Sequence, residues 1–100
     1  MDVTYCKSLK RRTRTALRNY LAENRKGINE FFNVNIPIDI KNFSSETFDR
    51  TIINLNAALN NVEDAGFEYD ELFDLMSEYM CACSNLEIAE FSQQYFAYLN

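Results

Sequence analysis

By residue type, the cysteines are best equipped for chemistry. Cys81 and Cys83 stand two apart, and Cys6 lies at the other end of the chain. A CxC pair can ligate a metal or exchange electrons when both thiols point the same way. On a helix, however, two residues turn through about 200°, so these two diverge. A structural zinc site takes four ligands. With no histidine in the chain, Cys6 and a carboxylate would have to complete one. The expectation is therefore no metal and no cofactor, with Cys6 and Cys83 filling core and Cys81 peripheral. An odd number of cysteines also argues against a disulfide framework and for free thiols in a reducing compartment.

The missing histidine also removes the usual general base near neutral pH. Carboxylates stand close in sequence at Glu63/Asp64 and Glu87/Glu90. Acid–base catalysis needs two carboxyls in unlike environments inside a cleft, whereas these map to outer helix faces. No enzyme is expected.

Two charge stripes remain. Residues 1–26 carry eight Lys/Arg and two acids, a net of +6, and residues 27–100 carry two Lys/Arg and 13 acids, a net of −11. Lys7, Arg11, Arg14, Arg18 and Arg25 recur at helical spacing on the side opposite Cys6, Leu9, Thr13, Ala16, Leu17 and Tyr20, with Leu21 at the margin. Guanidiniums in that row could follow a phosphate backbone, dock on a protein, or meet the acidic half of this chain. Asp70, Asp74 and Glu78, with Glu71 beside them, form the opposite row with no base interleaved. Like charges four apart oppose the helix slightly, and a one-sign row steers a protein toward a basic surface.

These rows need helices beneath them. The chain has two Gly and one Pro, with 47% apolar residues, which favours long helices around a real core. Asp2 is a candidate N-cap for a first helix running to about Lys26, with Gly27 as its stop. Ile28–Phe32 reads as a short helical turn. Val34, Ile36, Ile38 and Ile40 then alternate with polar residues or Pro37, which predicts an edge strand or extended connector. Phe43, Ser44 and Phe48 predict a stapled N-terminus for a second long helix that Gly66 ends. Its seam is Phe48, Ile52, Leu55, Leu59 and Val62, with Ile53 pointing away from it. A third helix is predicted from about Glu68 to Cys83, with Tyr69, Leu72, Phe73, Met76, Met80 and Cys83 inward. Ser84 and Glu87 form a capping box that restarts the chain as a fourth helix. Its inward stripe is Ile88, Phe91, Tyr95 and Leu99, flanked by Phe96 and Tyr98. Tyr79 and Tyr98 fall on stripe edges as candidate surface anchors. The predicted fold is mainly α: one compact four-helix domain over residues 1–100 with a strand-like segment near 34–40.

No apolar run reaches the roughly 20 residues of a membrane span, and no secretory signal is visible, so a cytoplasmic setting is expected. In style the composition is that of a phage or viral accessory protein, an analogy of composition alone. The function expected is a non-catalytic, protein-binding inhibitor or regulator of a host or cognate protein, including components of nucleic-acid-binding complexes. Asp70, Glu71, Asp74 and Glu78 would supply charge, and Ile53 and Tyr98 apolar anchors. The alternatives are a nucleic-acid-binding regulator acting through Lys7, Arg11, Arg14 and Arg18, an immunity or antitoxin protein, and a homodimer paired through the 34–40 segment.

Overall fold

The computed structural model describes residues 2–60 and 68–99. The Glu63/Asp64 pair, Val62 and the Gly66 stop lie outside the described residues. Among those described there are four α-helices and no strand: α1 (Val3–Glu23), α2 (Arg25–Phe32), α3 (Ser45–Leu59) and α4 (Asp70–Leu99), with a 3-10 turn at Ile40–Asn42.

Local chemistry starts α1 and α3 where expected. The Asp2 carboxylate accepts from the Thr4 N–H at 3.0 Å, and Ser44 Oγ accepts from the Thr47 N–H at 3.2 Å. Each satisfies a donor that a helix start leaves orphaned. Gly27 is a correction, because it sits inside α2 and stops nothing. A Cβ there would lie 3.0 Å from the Tyr69 hydroxyl, so a side chain at 27 would press on that ring. The left-handed residue that ends α2 is Asn33, at φ 53° and ψ 48°.

The strand-like segment is an unpaired connector. Asn29 Oδ1 accepts from the Ile36 N–H at 2.7 Å, and Arg25 Nε donates to the Ile36 carbonyl at 2.8 Å. Side chains of α2 thus do for this backbone what a second strand would do. A turn at Ile38–Asp39 then breaks the alternation. Ile36 and Ile40 are buried, while Ile38 faces solvent.

α1 and α4 run antiparallel. Tyr20 lies near Glu71, Arg14 meets Tyr79, Lys10 shares a groove with Cys83, and Val3 one with Ser92 and Phe96. The main core fills one end of this pair. There Leu17 and Leu21 of α1 meet Ile28 and Phe32, Ile36 and Ile40, Phe48 to Leu59 of α3, and Tyr69 to Tyr79. Phe31 and Phe32 hold the Tyr69 ring at centroid distances of 5.0 and 5.2 Å. Beyond Tyr79 the only buried side chains among the described residues are small: Cys6 from α1, Ala82 and Ala89 from α4. The far end is therefore a bare two-helix hairpin. The radius of gyration, 15.5 Å, exceeds the roughly 13 Å of a typical 100-residue domain, and the extents are 54 × 29 × 18 Å.

The fourth helix predicted from Ser84 is not separate. α4 continues through Ser84 to Leu99 as one helix of 30 residues, about 45 Å long. No Gly or Pro interrupts 70–99, and the capping-box side chains stay on an unbroken backbone ladder. The stripe expected to face inward is also a correction: Ile88, Phe91, Tyr95 and Leu99 are exposed, as are Phe96 and Tyr98. Ala89 faces α1 instead, and among the described residues no third element reaches this far along the hairpin.

Candidate functional site

The basic row is divided by the fold. Lys7 and Arg11 are exposed, as expected, but Arg14, Arg18 and Arg25 are half-buried. Arg14 Nε donates to the Tyr79 hydroxyl at 3.3 Å. The Arg18 guanidinium lies 4.9 Å from the Phe48 ring centroid and donates to the Lys41 carbonyl at 3.3 Å. Arg25 holds Ile36, as above. These stems cover apolar surface while their heads bond inside the fold, which turns a predicted outer stripe into internal fastening.

Tyr79 is the centre of that fastening and a further correction, since it is 2% exposed rather than a surface anchor. Its hydroxyl donates to the Asp49 carboxylate while accepting from Arg14. Its ring packs edge-on to Phe48, with centroids 5.6 Å apart. Lys10 Nζ stands 3.9 Å from the same carboxylate, a partly exposed pair that contributes at most about 1 kcal/mol. Burial pushes the Tyr79 phenol well above its ordinary 10.0, and pushes the Cys83 thiol above 9.0. Both groups stay protonated at neutral pH, the opposite direction from an activated nucleophile. The Tyr20 phenol is likewise raised by burial, with the Glu71 charge second.

The cysteines fall as the sequence predicts: Cys6 buried, Cys83 half-buried, Cys81 exposed, all as free thiols. Among the described residues no cluster of three His, Cys, Asp or Glu could hold a metal. Glu87 and Glu90 are both exposed on α4. No helix among these residues is long and apolar enough to cross a membrane.

The acidic row stays outside. Asp70, Glu71, Asp74 and Glu78 are all exposed, and none forms an ion pair among the described residues. The arginines that could have met them are committed to Tyr79, Phe48 and the Lys41 carbonyl. Asp70 and Glu71 also occupy the first turn of α4, where the helix dipole favours them. The row continues as a line. Asp70, Asp74, Ser77, Cys81, Ser84, Ile88, Phe91, Tyr95 and Leu99 follow one another at spacings of three or four, and all are exposed. The outer side of α4 thus changes from acidic to small polar to apolar along its length. Ile53 is 64% exposed, as predicted, but lines a separate shallow groove on the α3 side with Met80, Cys83 and Ser84. None of the four acids lines that groove, so the structure does not join Ile53 to them. Tyr98 is exposed at the far end of α4, beside the apolar part of the line.

No protein-family model, no curated protein and no solved structure matches the chain.

Sequence reasoning missed the apolar end of this surface. An available signal was the uninterrupted helix-forming run 70–99, too long for the shorter elements to cover on every side.

Proposed function

We propose that the chain is a non-catalytic protein-binding inhibitor or regulator that presents the acidic half of α4 to a basic surface on a host or cognate protein. One observation carries this reading. Asp70, Glu71, Asp74 and Glu78 project together into solvent with no counter-charge among the described residues, while Arg14 and Arg18 are held elsewhere. Four like charges on three turns cost helix stability, and a basic partner turns that cost into attraction and faster association. A phage or viral origin, with a host defence or nuclease component as the target, or an immunity protein held against a basic nuclease, would use the same physics.

The test is the triple charge reversal Asp70→Lys, Asp74→Lys, Glu78→Lys. Partners are first captured from lysate with the wild-type chain and identified by mass spectrometry. The expected result is a loss of affinity of at least tenfold, about 1.4 kcal/mol, and a flatter salt dependence, with helicity by circular dichroism unchanged. Unchanged capture by the reversed chain removes this surface from the function.

A further inference from the structure

The far end of the hairpin has a face that the acidic reading leaves unused. Ile88, Phe91, Tyr95 and Tyr98 follow a three-four-three spacing, the a/d rhythm of a helix–helix seam. They are between 52% and 88% exposed. At about 100° per residue they centre roughly 130° around the helix from Ala89, which faces α1. The seam therefore looks away from the partner helix α4 already has.

We infer that this seam is occupied by a second copy of the chain, packed antiparallel so that two hairpins complete a four-helix bundle. Area is the first support. Aromatic and large aliphatic side chains bury on the order of 200 Å² each. At these exposures the four, with Leu99, leave on the order of 600 Å² of apolar surface per copy. That is at the top of what a monomer ordinarily leaves exposed. Doubled, it reaches the roughly 1,200 Å² at which specific interfaces begin. Architecture is the second support. A two-helix hairpin cannot enclose a core, and among the described residues only Cys6, Ala82 and Ala89 are buried along this one. Two hairpins face to face place both seams in a common interior.

Charge selects the occupant and its direction. Residues 84–99 hold two charges: Glu90 points away from the seam, and Glu87 borders it about 60° from its centre. Nothing there calls for a charged partner, and an aromatic row complements itself. Parallel pairing would stack Asp70, Asp74 and Glu78 of one copy on those of the other. Antiparallel pairing about residue 93 sets Phe91 of each copy against Tyr95 of the other, and Ile88 against Tyr98. The acidic rows then lie at opposite ends, about 45 Å apart at 1.5 Å per residue. That separation is several screening lengths at physiological salt. The assembly stands on other residues than the acidic face, and presents that face twice.

Sedimentation velocity and light scattering on the full chain test this. The weight-average mass should climb from the 11.7 kDa of one chain toward twice that value, with a Kd on the order of 1–10 μM for an interface at the small end of the specific range. Phe91→Lys and Tyr95→Glu should each give a folded monomer by circular dichroism, since neither position is in the core. Mixing the two variants should restore a dimer, because antiparallel pairing sets 91 against 95. Wild-type chain that remains at 11.7 kDa up to about 200 μM overturns the inference. So does a dimer that both single variants leave intact. Should Phe91 and Tyr95 be needed for capture of another protein while the chain stays monomeric, the seam belongs to that protein and the inference also fails.

Discussion

Replacing Tyr79 with Phe deletes one oxygen from the centre of the molecule and leaves the ring against Phe48. Two bonds are lost: the one donated to Asp49, and the one accepted from Arg14 Nε at 3.3 Å. A hydrogen bond to a charged group is worth about 1.5–3 kcal/mol, and less where water can take over. Asp49 and Arg14 are both half-buried, and the Arg14 bond is long, so the loss should be about 2 kcal/mol. For a chain of this size that lowers Tm by about 10 °C. The pH dependence separates this bond from mere packing. Burial holds the Tyr79 phenol protonated in the folded state above its ordinary 10.0. Below pH 10 neither state has released the proton, so its contribution is complete there. Above it the unfolded phenol ionises first, and stability falls at up to about 1.4 kcal/mol per pH unit. Phe cannot ionise, so by about pH 11 more than half of the roughly 2 kcal/mol gap between the two proteins should have closed. Urea titrations at about pH 7, 10 and 11, in a Cys83→Ala background to silence the thiol that titrates in the same direction, measure it. A Tyr79→Phe variant within about 0.3 kcal/mol of the parent at neutral pH, or a gap that widens with pH, would refute the fastening role given to the hydroxyl.

Two further substitutions probe backbone and packing. Gly27→Ala should fall short of the roughly 1 kcal/mol gain that helix propensity promises, because the new methyl meets the Tyr69 hydroxyl at 3.0 Å on a ring held by Phe31 and Phe32. The double variant Gly27→Ala with Tyr69→Phe should recover that gain over Tyr69→Phe alone, as read by thermal melting. At Asn33, with φ 53°, Gly should be neutral or stabilising, while Ala should lose about 1 kcal/mol for entering the left-handed region. Equal stability of the two in a urea titration would contradict that account of the α2 stop.

Much of the fold was legible because its signals are local. Asp2 and Ser44 cap the helices they precede, and Phe48, Ile52, Leu55 and Leu59 form the seam their spacing predicts. What failed depended on distance. Ser84 and Glu87 carry a helix-start pattern, but a pattern of two side chains cannot interrupt a run that contains no breaker. Tyr79 looked peripheral on its own helix, and only the approach of Asp49 and Arg14 gives its hydroxyl partners inside. Arg14 and Arg18 looked free for the same reason, since a helical wheel places a side chain without showing what lies beside it. The alternation at 34–40 was real, but Asn29 and Arg25 take the backbone groups a strand partner would have taken. Of the candidate site, the acidic row and Ile53 were correctly placed outside. Ile88, Phe91 and Tyr95 read as inward from their spacing, yet apolar periodicity shows that a face exists, not what covers it.

The uneven anchoring of α4 shapes how the molecule opens. The first three turns of that rod are packed against α1, Phe32 of α2 and Phe48 of α3, whereas the last four lean on a single neighbour across small side chains. Amide hydrogens near Leu72 and Met76 then exchange only when the whole chain unfolds, while those past Ala89 are released by local opening of this thinly packed stretch. Protection against exchange therefore declines stepwise along one continuous helix, and an occupant of the exposed end would be seen first as the disappearance of that step.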